Sequence, residues 1–251
     1  MIRLEKIYKS FGDQTVLKNF SLDVEKGETM VILGRSGIGK SVTLKHIVGI
    51  LKPDLGRVIV DGEDITEADE KTLFRIRRKV AYLFQSAALI NWLSVGENVE
   101  LPLHEHTSLT RKEIEERASA ALRDLEMDGA YHKMPSEISG GMKKRAALAR
   151  VLVMDPEIIL YDEPTAGLDP IMTNNIADLI RSVQELHGIT SIVVTHDLEC
   201  AWKVGDRVGI HSKGTIIEIG TVNEIRQSAN PVVQAFLKGE AFDDTAIMSG
   251  R

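Results

Sequence analysis

The chain has 251 residues, 43% of them hydrophobic, and a formal net charge of −6. That length accommodates one sizeable α/β domain, or a core domain with a subdomain, and the mild acidity argues weakly against a nucleic-acid binder. No apolar run approaches the roughly 18 residues that span a bilayer. The single cysteine, Cys200, excludes an internal disulfide, so we expect a reducing, cytosolic setting.

Short apolar runs recur along the chain and predict β-strands. Residues 3–8 and 20–24 alternate in polarity around a turn at 12–13, which predicts an antiparallel β edge. Residues 157–161 and 191–195 are almost continuously apolar, which is typical of central parallel strands covered on both faces. The other predicted strands are 29–33, 57–60, 79–84, 207–211 and 215–219.

The middle of the chain predicts a helical subdomain, because residues 86–153 contain no convincing strand. Residues 110–125 form an amphipathic helix that Thr110 can cap, with Glu113 three positions later. Its apolar stripe consists of Ile114, Ala118, Ala121, Leu122 and Leu125. The predicted organisation is an α/β core at 1–85 and 154–238, the helical subdomain at 86–153, and a polar tail at 239–251.

Residues Gly34-Arg35-Ser36-Gly37-Ile38-Gly39-Lys40-Ser41 fit the G-x-x-x-x-G-K-[ST] pattern of a phosphate-binding loop. They follow the strand at 29–33 and precede a helix-periodic run at 41–48, which is the context that the motif requires. The glycines let successive backbone N–H groups point at phosphate oxygens, and the helix adds its positive N-terminal end. Lys40 can then reach the β- and γ-phosphates, and Ser41 can hold Mg²⁺.

Two carboxylates, Asp162 and Glu163, directly follow the apolar strand at 157–161. Asp162 can orient Mg²⁺ through water, and Glu163 can position or deprotonate an attacking water. Because a phosphate-binding loop stands upstream, we interpret the pair as catalytic rather than as an incidental acidic strand end.

A further glycine turn, Ser139-Gly140-Gly141, opens a strongly helical run and suits an anion. The chain also has the stretch at 162–169, Gln85 after one predicted strand and His196 after another. Together, these motifs and their order resemble the ATP-binding subunits of ABC transporters. The resemblance extends from Phe11 to about residue 220. It implies an α/β fold: a P-loop NTPase core with a mostly parallel sheet, an antiparallel β edge subdomain and an inserted helical subdomain.

The resemblance also implies an ATPase, with ATP and Mg²⁺ as its cofactors. Phe11 corresponds to the aromatic that stacks on adenine, Glu163 to the general base, and His196 to the histidine that contacts the γ-phosphate. The implied catalytic residues are Glu163, His196, Gln85 and Lys40, and the implied metal ligands are Ser41, Gln85 and Asp162. The implied nucleotide contacts are Phe11, Val16, Gly34, Arg35, Ser36, Gly37, Ile38, Gly39, Lys40, Ser41, Val42, Ser139, Gly140 and Gly141.

In this family the turn corresponding to residues 139–141 faces the ATP that another subunit holds. The resemblance therefore implies a head-to-tail homodimer, in which each ATP lies between Lys40 of one copy and the turn of the other. ATP hydrolysis would open this contact and move integral-membrane permease subunits. The chain would lie at the cytoplasmic face of the inner membrane, held there by the permease, and no nucleic-acid partner is expected.

One position departs from the commonest family signature: Met142 stands where glutamine is usual, and methionine cannot make the amide's hydrogen bonds. Met142 with the basic, alanine-rich run at 143–150 resembles the subgroup that serves Mla/Mce-type lipid transporters, as do residues 37–39 and 232–239. This implies phospholipid transport and a periplasmic, lipid-binding Mce-type component. The alternative is that Met142 is a neutral substitution in the ATP-binding subunit of an importer of small solutes.

Two other classes of protein contain a phosphate-binding loop and are alternatives to a transporter subunit. A non-transport ABC ATPase acting on DNA or ribosomes would carry a long coiled-coil insertion or two cassettes, and this sequence has neither. A stand-alone P-loop kinase or GTPase would have no role for the turn at 139–141 or for His196. The sequence also lacks the Asn-Lys-x-Asp motif that recognises guanine.

The segment at 87–93 is unusually apolar for a stretch that follows a predicted active-site residue, Gln85. Exposed apolar segments of this kind often mark protein interfaces. We therefore predict that it docks a helix of the permease, with subdomain core as the alternative.

Overall fold

The computed structural model describes residues 1–240, so most of the predicted tail at 239–251 lies outside the described residues. Over that range the strands form two sheets. The strands are β1 (Ile2–Phe11), β2 (Gln14–Val24), β3 (Thr29–Leu33), β4 (Leu55–Val60), β5 (Glu63–Asp64), β6 (Val80–Leu83), β7 (Ile158–Asp162), β8 (Thr190–Thr195), β9 (Arg207–Ser212) and β10 (Thr215–Thr221). The helices are α1 (Lys40–Ile47), α2 (Glu70–Arg77), α3 (Val95–His106), α4 (Arg111–Asp124), α5 (Gly140–Leu152), α6 (Pro170–His187), α7 (Leu198–Val204), α8 (Val222–Arg226) and α9 (Pro231–Leu237), with a 3₁₀ turn at Pro135–Glu137.

The larger sheet has six strands in the order β10-β9-β3-β8-β7-β6. The neighbours from β9 to β6 are parallel, and β10 pairs antiparallel with β9. Every residue of β3, β7 and β8 is buried, which explains why these sequences show no polar alternation. The predicted α/β fold with a mostly parallel sheet is confirmed.

The smaller sheet has the order β2-β1-β4-β5 and is antiparallel throughout. It contains the predicted hairpin, together with the strand predicted at 57–60. The predicted antiparallel β edge is thus a separate four-stranded sheet. Gly56 makes this pairing possible: its φ is +101°, and a Cβ there would lie 2.5 Å from the carbonyl oxygens of Glu5 and Lys6 on β1.

Apolar side chains form one cluster on each face of the parallel sheet. Val31 and Ile32, neighbours on β3, belong to different clusters because successive strand side chains point to opposite faces. The Ile32 cluster includes Leu44 of α1 and Phe20 of the smaller sheet, whereas the Val31 cluster includes residues of α3 to α7 such as Val99. The sheet is thus held rigidly between the phosphate-loop helix and the helical part of the chain.

Between β6 and β7 the described chain is helical, as predicted, although the division into subdomains remains a prediction. Thr110 caps α4 in a reciprocal capping box with Glu113, and the apolar stripe of this helix is buried at Ile114 and Leu122. Ser139 caps α5 by accepting a hydrogen bond from the Met142 N–H. Within residues 1–240, no helix combines the length and apolar character needed to cross a membrane.

Candidate active site

The phosphate-loop pattern joins the end of β3 to the start of α1. The N–H of Gly34 donates to the carbonyl of Thr195, the last residue of β8, at 3.2 Å. Gly39 caps α1 with a φ of +104°, a left-handed conformation that favours glycine. The Lys40 ammonium turns back into the loop and donates to the carbonyl oxygens of Gly34 and Arg35 at 2.7 and 2.8 Å. The loop therefore curls around the lysine that the pattern predicts to meet phosphate.

Glu163 lies at the centre of the candidate site. Its Oε1 is 3.0 Å from the Lys40 ammonium, and its Oε2 accepts a hydrogen bond from His196 Nδ1 at 2.8 Å. Glu163 and Lys40 are 7% and 4% exposed, so water screens their attraction little. Because an ionised carboxylate only accepts hydrogen bonds, the proton of the contact with His196 is assigned to Nδ1. The second ring nitrogen, Nε2, is then available to another group.

The backbone of Glu163 is held in an uncommon conformation. Its φ is +48°, a left-handed value that costs a non-glycine residue about 1–2 kcal/mol. A hydrogen bond of 2.9 Å from its N–H to the carbonyl of Val194 on β8 holds it there. Such local strain clusters at functional sites, and here it turns the carboxylate away from the strand direction toward Lys40.

Asp162, the last residue of β7, connects the phosphate loop to the sheet. Its two carboxylate oxygens accept hydrogen bonds from the hydroxyls of Ser41 and Tyr82, each at 2.7 Å. Burial, and then the bond to Asp162, raises the pKa of Tyr82, so the phenol remains a donor at every physiological pH. Tyr82 is not among the site residues that the sequence predicts. The one sequence feature that could have indicated it is a hydroxyl group in the strand that leads to Gln85.

The predicted residues converge on a cavity of about 390 Å³. Phe11 is 47% exposed and lines this cavity, and the Lys9 ammonium lies over its ring, 5.6 Å from the centroid. The residues that line the cavity are Phe11, Gln14, Val16, Ser36, Gly37, Gly39, Lys40, Ser41, Val42, Gln85, Glu163 and His196. The lining thus combines aromatic and aliphatic side chains with polar ones, as a base and its phosphates would require.

Other predicted contacts lie outside this cavity. The side chains of Arg35 and Ile38 line a neighbouring cavity of about 480 Å³, and the Arg35 guanidinium donates to the carbonyl of Glu240 at 2.8 Å. These two positions are therefore not among the residues that line the cavity around Lys40. The turn at 139–141 does not line the cavity either, because it forms the beginning of α5, where Gly141 packs against Met172 of α6.

A protein-family profile described as "ABC transporter" matches residues 17–166. The chain belongs to the ABC transporter family. This ABC ATPase is 40% identical over 238 residues to the probable ribonucleotide transport ATP-binding protein mkl of Mycobacterium leprae, covering 95% of this chain and 69% of mkl. It is 39% identical over 241 residues to the intermembrane phospholipid transport system ATP-binding protein MlaF of Haemophilus influenzae, covering 96% and 91%.

A solved structure agrees with the family assignment. The dimeric, post-hydrolysis structure of the ATP-binding cassette MJ0796 bound to ADP and Pi matches this chain with a TM-score of 0.81 and 34% identity, covering 88% of this chain and 99% of that one. The chain thus has the ABC ATPase fold, and as a member of this family it binds and hydrolyses ATP.

The ABC ATPase site includes a buried lysine that the sequence does not predict. Lys144 of α5 is 6% exposed, and its ammonium donates to the carbonyl of Gln85 and lies 3.5 Å from that of Glu163. Burial lowers the pKa of Lys144, and the carboxylates of Glu163 and Asp162 oppose that shift. Its spacing in the sequence could have indicated burial, because Lys144 shares a helix face with residues 147, 148 and 151, and all three are buried.

The donor set at the phosphate loop fits Mg²⁺. Ser41, Asp162 and Gln85 carry hydroxyl, carboxylate and amide oxygens, which are the hard ligands that Mg²⁺ prefers, and the Ser41 hydroxyl already meets the Asp162 carboxylate. Within residues 1–240 there is no group of three or more histidine, cysteine, aspartate or glutamate side chains that could hold a metal alone. An ion at this point would complete its shell with phosphate oxygens and water, as Mg²⁺ does in ATPases.

Proposed function

We propose that this chain is the ATP-hydrolysing subunit of an ABC transporter that powers phospholipid movement through a membrane permease. The observation that carries the proposal is the near end-to-end match with MlaF, whose name specifies intermembrane phospholipid transport. Met142, where the commonest family signature has glutamine, favours the same subgroup. The chain would lie at the cytoplasmic face of the inner membrane, held by permease subunits, and the complex would include a periplasmic, lipid-binding Mce-type component.

An importer of small solutes is the second candidate. It is favoured by one observation, the 40% identity with mkl, which is named as a ribonucleotide transport protein. The two candidates share the ATPase chemistry and the dimer, and they differ in the molecule that the permease carries. A test must therefore examine the cargo and the membrane partners rather than ATP turnover.

The two phosphate-binding features of this chain do not line the same cavity, and this supports the proposed dimer. The turn at 139–141 begins a 13-residue helix, whose free N–H groups and dipole suit an anion, yet it does not line the cavity that contains Lys40. A second copy arranged head to tail would bring its turn to that cavity. Ile171, near the turn and 74% exposed, supports an interface on this side because large apolar side chains are usually covered.

In the proposed mechanism, Lys40 exchanges its contact with Glu163 for phosphate oxygens of ATP. The Glu163 carboxylate is then free to accept a proton from the attacking water. His196 stays oriented through its Nδ1 bond to Glu163, which leaves Nε2 for the γ-phosphate. Mg²⁺, held by Ser41 and Gln85 and through water by Asp162, would neutralise charge on the β- and γ-phosphates.

The permease would dock on an apolar groove of about 610 Å³ bounded by α2, β6, α3 and α5. Phe84, Ala88 and Ile90 line this groove, and the last two belong to the segment predicted to dock a permease helix. Phe84 is 43% exposed and Trp92, close by in the chain, is 80% exposed. Covering these side chains with an amphipathic helix would remove substantial apolar surface from water.

The deciding experiment is purification of the native complex in mild detergent, followed by mass spectrometry of its proteins and bound small molecules. We expect an integral-membrane permease, an Mce-type subunit and bound phospholipid. A complex that contains a permease without an Mce-type subunit, and that retains ribonucleotide or another small solute instead of lipid, would support the second candidate. A variant with Glu163 replaced by glutamine serves as control for the ATPase activity of the complex.

A further inference from the structure

The segment at 85–93, between β6 and α3, is held by side chains from two helices. Asn98 of α3 is fully buried; its amide oxygen accepts from the N–H of Ile90 at 2.7 Å, and its amide nitrogen donates to the carbonyl oxygens of Ile90, Leu93 and Ser94. Irregular backbone needs such partners because its own polar groups are not paired in a helix or sheet.

Two cations of α5 hold the beginning of the same segment. The Arg150 guanidinium donates to the carbonyl oxygens of Ala87 and Ala88 at 3.0 and 2.8 Å, and these two alanines have φ values of +62° and +48°. The Lys144 ammonium donates to the carbonyl of Gln85. The backbone of the segment is thus bonded to α5 at three carbonyl oxygens, in addition to its bonds with Asn98 of α3.

Lys144 also reaches the residue that follows β7, Glu163. Its ammonium lies 3.5 Å from the carbonyl oxygen of Glu163, which already accepts the N–H of Ala166 at 3.1 Å. A single ammonium is thus shared between Gln85, at the end of β6, and Glu163, at the end of β7. The side chains of both residues line the nucleotide cavity.

The turn at 139–141 begins the helix that carries Lys144. Ser139 caps α5, and Lys144 lies a little more than one turn farther along the helix. In the dimer proposed above, the turn at 139–141 would face the ATP held by the second copy. Lys144 would then be the link between that distant phosphate and the base in its own subunit.

Packing alone gives a weak reason for a lysine here. Its neighbours on the buried face of α5 are Ala147, Leu148 and Val151, and burying an ammonium is costly unless it is hydrogen-bonded. An aliphatic residue would fill this position at lower cost, although it would leave the Gln85 carbonyl without this donor. The lysine instead supplies contacts to the backbone carbonyls of Gln85 and Glu163, two residues that line the nucleotide cavity.

We propose that Lys144 is a positioning residue, which couples α5 to Gln85 and Glu163 so that engagement of the turn by one ATP aligns the base at the other. The inference rests on the proposed dimeric ATPase. Lys144 touches no reacting atom; it acts through the backbone of Glu163 and Gln85. Its loss should therefore slow the hydrolytic step and weaken cooperativity between the two sites, with little effect on the affinity for ATP.

The test compares Lys144→Met, which keeps the length and removes the charge, with Lys144→Arg, which keeps two or more donors. The matched control is Lys143→Met on the same helix, because within residues 1–240 Lys143 is bonded only through its backbone N–H, to the carbonyl of Ser139, and its side chain has no hydrogen bond or ion pair. We expect Lys144→Met to lower kcat about tenfold or more, with KM for ATP within about twofold, and to bring the Hill coefficient toward 1. Lys144→Arg should recover most of kcat.

Thermal unfolding of each variant separates positioning from folding. A kcat within about twofold of wild type for Lys144→Met would overturn the inference. A parallel loss of Tm and of ATP affinity that arginine does not rescue would also overturn it, because that pattern indicates a structural role. If Lys144→Met does not fold, Lys144→Gln takes its place, since the amide can still donate without the charge.

Failure of the proposed function has a different signature. Wild-type protein without ATP turnover, or Glu163→Gln protein that does not dimerise with ATP, would contradict the dimeric ATPase itself. Wild-type turnover and ATP-dependent dimers, combined with an unaffected Lys144→Met variant, would contradict only the role of Lys144. The Lys144→Met/Glu163→Gln double variant should still dimerise with ATP, and failure to do so would assign Lys144 to binding instead.

Discussion

The Glu163 carboxylate lies 3.0 Å from the Lys40 ammonium, and both side chains are almost wholly buried. The two residues come from the end of β7 and the start of α1, so this ion pair joins the phosphate loop to the sheet. Buried pairs are asymmetric in their energetics: removing one partner leaves an uncompensated charge and costs far more than the pair itself contributes. Variants at these positions should therefore have effects on both stability and catalysis.

Replacement of Glu163 by glutamine should abolish turnover while ATP still binds. The amide oxygen can still accept a hydrogen bond from the Lys40 ammonium, but the amide cannot accept a proton from water, so we expect hydrolysis to fall by about 10²- to 10⁴-fold. Size-exclusion chromatography with ATP should show a trapped dimer, because binding without hydrolysis favours the closed state. Near-normal turnover in this variant would remove Glu163 from the role of general base.

Replacement of Lys40 by alanine should destabilise the protein and weaken ATP binding. The change leaves the Glu163 carboxylate buried without its cation, with an expected loss of about 3 kcal/mol in the free energy of unfolding at neutral pH. Adding Glu163→Gln should restore part of this loss, since the unpaired charge is then absent. Urea denaturation of the two single variants and the double variant measures the coupling; additive losses would argue against the ion pair.

A mixture of two inactive variants tests whether each site is shared between copies. Lys40→Ala and Ser139→Ala homodimers should both be inactive, but a heterodimer contains one site in which both residues are intact. With random assortment half of the dimers are mixed, so about a quarter of the wild-type activity is the most that should return, and coupling between the two sites would lower that value. The activity of the mixture is compared with that of each variant alone, and a mixture with no recovery would oppose the head-to-tail arrangement.

Stability should fall in mild acid because of a buried histidine. His211 on β9 is 2% exposed, and neither ring nitrogen has a hydrogen-bond partner within residues 1–240. Burial, and secondarily the charge of Lys40, lowers the pKa of His211 to about 4, against about 6.5 in the unfolded chain. The unfolded chain takes up a proton first, so stability is complete above pH 6.5 and falls progressively down to pH 4.

The loss attributable to His211 should approach about 3 kcal/mol across this range. Burial lowers the pKa of His46 as well, and this residue should add to the slope. The His211→Phe variant is suited to the site because the ring packs edge-on against Phe20. Urea denaturation at several pH values between 7 and 4 should give a shallower slope for this variant; an identical slope would exclude His211 as the cause.

Charged substitutions test whether the permease docks at the apolar groove. Ile90→Glu and Trp92→Glu should reduce co-purification with the permease, because a carboxylate would have to be buried in an apolar contact. Leu186→Glu is the matched control, since Leu186 is 80% exposed, as Trp92 is, but lies near the end of α6. Unchanged recovery of the permease with Ile90→Glu would indicate that the segment belongs to the core of the helical part instead.

The local motifs could be predicted from sequence because their chemistry depends on spacing along the chain. The loop at 34–41 occupies a strand-to-helix junction as expected, Thr110 and Glu113 cap α4 through a four-residue pattern, and the strands with continuous apolar runs lie inside the parallel sheet. In each case the forces act between near neighbours in sequence or along one face of one element. The subunit's family and its ATPase chemistry follow from the order of these motifs.

Only the tertiary structure determined which distant groups meet. Strand order decides that β4 pairs with β1 rather than with the parallel strands, and that the hydroxyl of Tyr82 donates to Asp162. Helix packing decides that the Lys144 ammonium reaches the carbonyl of Gln85. Periodicity indicates which face of an element is buried but does not specify the element that covers it. For the same physical reason, the sequence identified a phosphate loop and a glycine turn and, through the family resemblance, a shared site, whereas only the fold shows that the turn does not line the cavity of its own Lys40.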